Sequence, residues 1–229
     1  MWNGKKKAVT FSFDDGVTQD IRLLEILNKY HLKCTFNLNS GLLGMEGELV
    51  RGWGTVNHTK IKASQVKDLY QGHEVAVHSL THPTLVGLDE ETLLRQVELD
   101  RKALEALVGY SVVGMAYPNG ACDDEVAKII AENTPIKYSR TVTSTHSFAV
   151  QKENLLLYNP TVYYIEDCFE EVVDKFLASE TDEDQLLYIW GHSYEMDANL
   201  ISWEKFESIC KKLAFHDDIF YGTNREVLL

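Results

Sequence analysis

Two adjacent carboxylates, Asp14 and Asp15, stand at the exit of an apolar run over residues 8–13 and are followed at once by Gly16. Like charges side by side repel unless a metal, a proton or another cation separates their roles. Two histidines follow at the exit of another apolar run, in His78-Ser79-Leu80-Thr81-His82. One aspartate with two histidines is a three-ligand set for a catalytic metal that keeps a position open for water. The other aspartate would then be free to act as a base. Taken singly, the carboxylates read as a helix N-terminus favoured by its dipole, and the histidines as satisfied polar residues. Their joint placement at strand exits points instead to a metal-dependent hydrolase.

The elements that must carry these residues follow a strand-then-helix rhythm. Residues 8–13 read as a first strand, and residues 18–30 have apolar positions at helical spacing. A second strand is expected over residues 33–38, a loop with five glycines over 39–59, a short helix over 64–71 and a third strand over 73–77. Asp89 is placed to cap a long helix that Gly109 ends. Residues 112–116 and 136–139 read as the fourth and fifth strands, with Asp123 capping a helix between them. Residues 155–158 are expected as a sixth strand and 185–190 as a strongly apolar seventh; Ser202 caps a further helix and 218–221 ends the series.

Strands alternating with helices imply a parallel sheet with right-handed crossovers. With seven or eight units in 229 residues, a barrel of one domain over residues 1–229 fits better than an open sheet. The unusual polar residues then fall at the C-terminal strand ends: Asp14 and Asp15, Asn37 and Asn39, His78 and His82, the Tyr117-Pro118-Asn119-Gly120 segment, Arg140, and His192. In a parallel barrel those ends open on one face, so they converge on one site.

A formal net charge of −13 argues against a nucleic acid as main ligand. No stretch approaches the roughly 18 apolar residues of a membrane span, and residues 1–7 hold no apolar signal core. A cytoplasmic protein without membrane insertion is therefore expected. The four cysteines, Cys34, Cys122, Cys168 and Cys210, are far apart and read as reduced, mostly core thiols. His31, His58, His73, His146 and His216 have no supporting context and read as ordinary polar residues, His58 in the long loop being the first exception to consider.

The segment Thr10-Phe11-Ser12-Phe13-Asp14-Asp15-Gly16, the His78/His82 pair and the late His192 together resemble the polysaccharide deacetylases of the NodB-homology group, carbohydrate esterase family 4. The resemblance implies a distorted (β/α) barrel and metal-dependent removal of acetyl groups from N-acetylated sugars or oligosaccharides. It implies Asp15, His78 and His82 as metal ligands, Asp14 as general base, His192 as general acid, and a backbone N–H at Asn119 facing the oxyanion. The cofactor expected is one divalent ion, zinc first, although the donor set also suits cobalt, nickel or iron.

The chain departs from that pattern in ways that bear on chemistry. The family's arginine two residues before the proline is Ala116 here, and the aromatic after it is Asn119. Arg140, at the next strand end, is the candidate source of the missing cation. The late Asp-x-x-Asp-Trp motif is absent, and Gly191 stands where an apolar side chain is common. Tyr117 and Trp190 read equally as sugar-stacking platforms or as core. O-acetyl esters, other amides, or a catalytically weakened carbohydrate-binding role are the alternatives to N-deacetylation.

Overall fold

A computed structural model describes residues 2–180 and 182–229. Among the described residues, ten strands are formed in chain order: β1 (Lys7–Asp14), β2 (Cys34–Leu38), β3 (Glu48–Arg51), β4 (Gly54–Asn57), β5 (Glu74–Val77), β6 (Gly114–Ala116), β7 (Tyr138–Arg140), β8 (Val162–Tyr163), β9 (Gln185–Gly191) and β10 (Ile219–Tyr221). The helices are α1 (Asp20–Lys29), α2 (Ala63–Leu69), α3 (Glu90–Val108), α4 (Asp124–Asn133), α5 (Phe169–Ala178), α6 (Tyr194–Asp197), α7 (Trp203–Leu213) and α8 (Asn224–Leu228). Among the described residues, no helix is long and apolar enough to cross a membrane.

The main sheet is parallel throughout, in the order β7-β6-β5-β2-β1-β9-β8, with β10 set against β1. β1 is its axis: residues 7–13 pair with β9, while β10 takes residues 7–9 and β2 takes 11–14 on the other edge. Opposite β1 the wall is closed by a single residue. Tyr158 bridges Arg140 of β7, donating to the Ser139 carbonyl at 2.9 Å, and Thr161 just beyond donates to Tyr188 of β9 at 2.9 Å. The result is the expected distorted (β/α) barrel.

Alternation within β1 divides the interior. Val9, Phe11 and Phe13 enter the large apolar cluster with Leu23 and Leu27 of α1 and Phe206 and Ile209 of α7. Thr10, Ser12 and Asp14 are also buried, but each engages polar partners: Thr10 with Asn224, Ser12 with Asn37 and Arg140, Asp14 with Asn37 and Arg140. The caps form as anticipated, Asp89, Asp123 and Ser202 accepting from the N–H groups of Thr92, Val126 and Lys205.

Two expectations are corrected. Residues 155–157 form a 3-10 turn that starts from the left-handed Asn154, and the sixth strand of the barrel is Val162–Tyr163, after Pro160. The expected loop over 39–59 contains the antiparallel β3–β4 hairpin, whose strands are mostly exposed.

Candidate active site

Asp14 ends β1 with only 2% of its surface exposed. Asn37 Nδ2 donates to its Oδ1 at 2.8 Å, and Arg140 Nη2 donates to its Oδ2. Arg140 is wholly buried, with Nε on Ser12 Oγ at 3.3 Å and Nη1 on the Thr141 carbonyl at 2.9 Å. Burial alone would raise Asp14, but the Arg140 guanidinium, with His78 and His192, outweighs it and holds the carboxyl below its ordinary value.

The chain then turns sharply so that the neighbouring carboxylate does not repeat the first. Asp15 has φ 82 and Gly16 φ 59, both left-handed. A side chain at Gly16 would begin 2.7 Å from Leu38 Cδ2, so the turn has room only for glycine. The strained Asp15 is held by its N–H on the Asn37 carbonyl at 3.0 Å and by Lys60 Nζ on its own carbonyl at 2.8 Å. Its carboxylate meets His58 Nε2 at 3.2 Å, Lys60 Nζ at 3.4 Å and His82 Nε2 at 3.6 Å. Burial opposes ionisation, yet the His58 hydrogen bond and the Lys60 ammonium bring Asp15 well below the usual carboxyl range.

The His-x-x-x-His segment is a turn rather than a helix, with Ser79 and His82 both left-handed. Asn39 Nδ2 donates to the carbonyls of His78 and Ser79 at 2.6 and 3.0 Å, and the His82 N–H donates to Ser79 Oγ at 3.1 Å. His78 Nδ1 lies 2.8 Å from the Ala116 carbonyl, which fixes the proton there and leaves Nε2 as a bare donor. Burial lowers both imidazoles, His82 to about 4, so both are neutral near pH 7.

Asp15, His78 and His82 bring one donor atom each to within 4.8 Å of one another. The two Nε2 atoms are 3.2 Å apart, close to the edge of about 3.3 Å that tetrahedral zinc–nitrogen bonds require. Two neutral imidazoles with a carboxylate, one of them anchored through its far nitrogen, are a donor set that fits a divalent cation.

His192 follows β9 and presents Nε2 at 3.9 Å from Asp14 Oδ2, the same distance as His78 Nε2. Its other side is held by Glu195, which lies 3.1 Å from Nδ1 and accepts the His192 N–H at 3.0 Å. Tyr163 OH also donates to Glu195, and burial pushes that carboxyl well above its ordinary range. Burial lowers His192, while the charges of Asp14 and Asp15 work to raise it. Gly191 has a steric reason: a side chain there would begin 2.1 Å from the Tyr164 ring.

Asp14, Asp15, His58, Lys60, His78, His82 and His192 line one cavity of about 650 Å³, to which Leu49 and Arg51 of the hairpin also contribute. Of the residues expected to bind substrate, Tyr117, Asn119 and Trp190 line it. Trp190 reaches it with 5% exposure, but its ring is stacked on Tyr163 at 4.2 Å and covered by the Arg140 guanidinium at 4.4 Å. Two such partners must occupy opposite faces, so no face is left for a sugar. Tyr117 is 1% exposed, with its OH donated to the Leu156 carbonyl at 2.9 Å. Both aromatics line the cavity while mostly buried in packing, and Arg140 backs Asp14 instead of facing the cavity. Lys60, Glu195 and Tyr163 were missed in sequence. Glu195 had a signal in its three-residue spacing from His192. Lys60 had none, since it arrives through an antiparallel bridge to Val17.

The profile of a family described as polysaccharide deacetylase matches residues 2–138, ending before Arg140 and His192. Among curated proteins, the peptidoglycan-N-acetylglucosamine deacetylase PgdA of Listeria monocytogenes is 26% identical over 126 residues, 54% of this chain and 24% of that protein. The chain thus spans about a quarter of the length of that relative, 24%. Among solved structures, a Mycobacterium smegmatis protein assigned to the polysaccharide deacetylases has a TM-score of 0.70 at 19% identity, over 98% of this chain and 90% of that one. Streptococcus pyogenes deacetylase PplD, in complex with acetate, has a TM-score of 0.57 at 24% identity, over 68% and 64%. The pseudoenzyme BA3943 of Bacillus anthracis has 0.56 at 19% identity, over 98% and 66%. At these identities the structures establish the fold alone.

Proposed function

The chain belongs to the polysaccharide deacetylase family, and from that premise we propose that it hydrolyses the acetyl group of an N-acetylated sugar or oligosaccharide with a divalent metal, zinc first, held by Asp15, His78 and His82. The observation that carries the reading is the placement of Asp14 and His192 beside that donor set, on the wall of the same cavity. Asp14 Oδ2 lies 3.9 Å from Nε2 of both His78 and His192.

The bound ion would supply Lewis-acid polarisation of the acetyl carbonyl and favour an ionised water near neutral pH. Asp14 takes the proton of the attacking water, its carboxylate kept charged and oriented by Arg140 and Asn37. His192 Nε2, on the same cavity wall, gives a proton to the departing amine, while Glu195 fixes the ring from Nδ1. The Asn119 backbone N–H, at the cavity wall, is the proposed partner of the oxyanion. Ester cleavage would use the same groups. A purely carbohydrate-binding role has less support, since both proton-carrying residues are present and face one cavity.

Acetate release from N-acetylglucosamine oligomers, by protein reconstituted with zinc or cobalt, tests the reading. Asp14→Asn is expected to lose about 10²–10⁴-fold in turnover with metal still bound. His78→Ala is expected to lose the metal itself and with it the activity. Wild-type rates in Asp14→Asn, or metal-independent release, would reject the assignment.

A further inference from the structure

We propose that His146, Glu166 and Cys168 form a second metal site, for a zinc-class cation, outside the cavity and on the irregular crossover between β7 and β8 and the start of α5. The three residues place one donor each within 4.8 Å of one another. His146 Nε2 lies 2.5 Å from Glu166 Oε2 and 3.7 Å from Cys168 Sγ, and Sγ lies 3.6 Å from the same Oε2.

The geometry is that of donors around a point. In a relay, thiol and carboxylate would engage opposite nitrogens of the imidazole; here both approach Nε2. Tetrahedral edges at ordinary zinc bond lengths are about 3.5 Å where sulfur takes part and about 3.3 Å between nitrogen and oxygen. The two sulfur edges already match, and the His–Glu contact must open by less than about 1 Å.

The surroundings orient the donors. Glu166 Oε1 is occupied by the Ser144 hydroxyl and by the Tyr163 N–H at 3.1 Å, which leaves Oε2 turned toward the cluster. Such outer contacts are what hold a ligating carboxylate in place. Cys168 precedes α5 as its N-cap residue and makes no side-chain cap bond, so its sulfur is not taken up by the helix end. The side chain of His146 is 48% exposed and that of Glu166 27%, which gives a hydrated ion a path in.

The site also has a consequence for the cavity. Tyr163, whose N–H holds Glu166, stacks on Trp190 and donates to Glu195, the residue that holds His192. An ion here would fix a crossover that, among the described residues, holds only the short 3-10 turn of residues 155–157 between β7 and β8.

Cobalt(II) added to the metal-free protein separates this site from Asp15, His78 and His82, which contain no sulfur. A near-ultraviolet thiolate-to-cobalt charge-transfer band is expected in the wild type and in His78→Ala. It is expected to vanish in Cys168→Ser, and to need at least about tenfold more cobalt in Glu166→Gln and His146→Ala. Circular dichroism checks that each variant is folded. No band in the folded wild type would overturn the site, as would a band that survives in Cys168→Ser. Loss of acetate release with the band intact would instead bear on the deacetylase reading.

Discussion

Replacing Arg140 by lysine keeps a positive charge behind Asp14 and removes the fork that delivers it. The guanidinium serves three acceptors at once: Asp14 Oδ2, Ser12 Oγ and the Thr141 carbonyl. It also covers one face of Trp190 at 4.4 Å. An ammonium on a flexible stem can reach Asp14 alone, which leaves the Thr141 carbonyl short, while Ser12 Oγ keeps Asn37 Nδ2 at 2.9 Å. At about 1–3 kcal/mol for the unmet buried carbonyl, and about 0.5–2 kcal/mol for the lost cation–π contact, Arg140→Lys should cost roughly 1.5–5 kcal/mol by urea unfolding. Arg140→Ala leaves Asp14 charged and unpaired in the interior, which costs about 3–5 kcal/mol by itself.

Turnover is the sharper readout. Asp14 would still be held by Asn37 at 2.8 Å, but the oxygen that faces His78 and His192 would be free to swing. A displacement of about 1 Å at a reacting group costs on the order of 10²-fold in rate. Acetate release per folded molecule should therefore fall by about that factor in Arg140→Lys, with metal content unchanged. Full turnover per folded molecule in a destabilised Arg140→Lys would refute a positioning role and leave Arg140 as a structural ion-pair partner.

Two further outcomes follow from the packing around the site. Gly191→Ala would start a methyl group 2.1 Å from the Tyr164 ring, so it should lower stability by about 1–3 kcal/mol or more and shift the His192 backbone that Tyr164 OH holds at 2.7 Å; an unchanged urea midpoint would sink this account. Asp20, buried with Tyr70 OH and Ser193 Oγ on its carboxyl, is raised by burial to about 7. A carboxyl raised on folding contributes stability that is fully present below its unfolded value of about 3.9 and is lost as pH rises through about 7, up to about 4 kcal/mol in all. Asp20→Asn should flatten that decline between pH 4 and pH 9, and superimposable stability–pH curves would contradict it.

The parts of this molecule that were legible in sequence are those with a period or a cap. Helices α3, α4 and α7 announced themselves through apolar spacing and through Asp89, Asp123 and Ser202. The hairpin did not, because β3 and β4 are four residues each and mostly exposed, with only the Leu49–Val56 pair turned inward, too little for an alternation to be written. β8 has two residues, too few for any pattern. Within the site, Asp14, Asp15, His78, His82 and His192 stood out through their types at strand exits. Their supporting partners did not: His58 and Lys60 reach Asp15 only because Val17 bridges Lys60, a pairing that no local signal encodes.

The displaced arginine shows how far the register carries the rest. Ala116 of β6 pairs with Arg140 of β7, and Gly114 pairs with Tyr138. A side chain at Gly114 would begin 2.1 Å from Tyr138 Oη. So β6 is small where the long side chains of β7 cross over it: Tyr138 to reach Glu74, Arg140 to reach Asp14. Position 116, where the resemblance expects an arginine, is thus next to the strand position that has one. A large residue at 116 and Arg140 would compete for the same path to Asp14. The alanine at 116 and the arginine at 140 are two halves of one packing solution, and a cation beside the Asp14 carboxylate is what both serve.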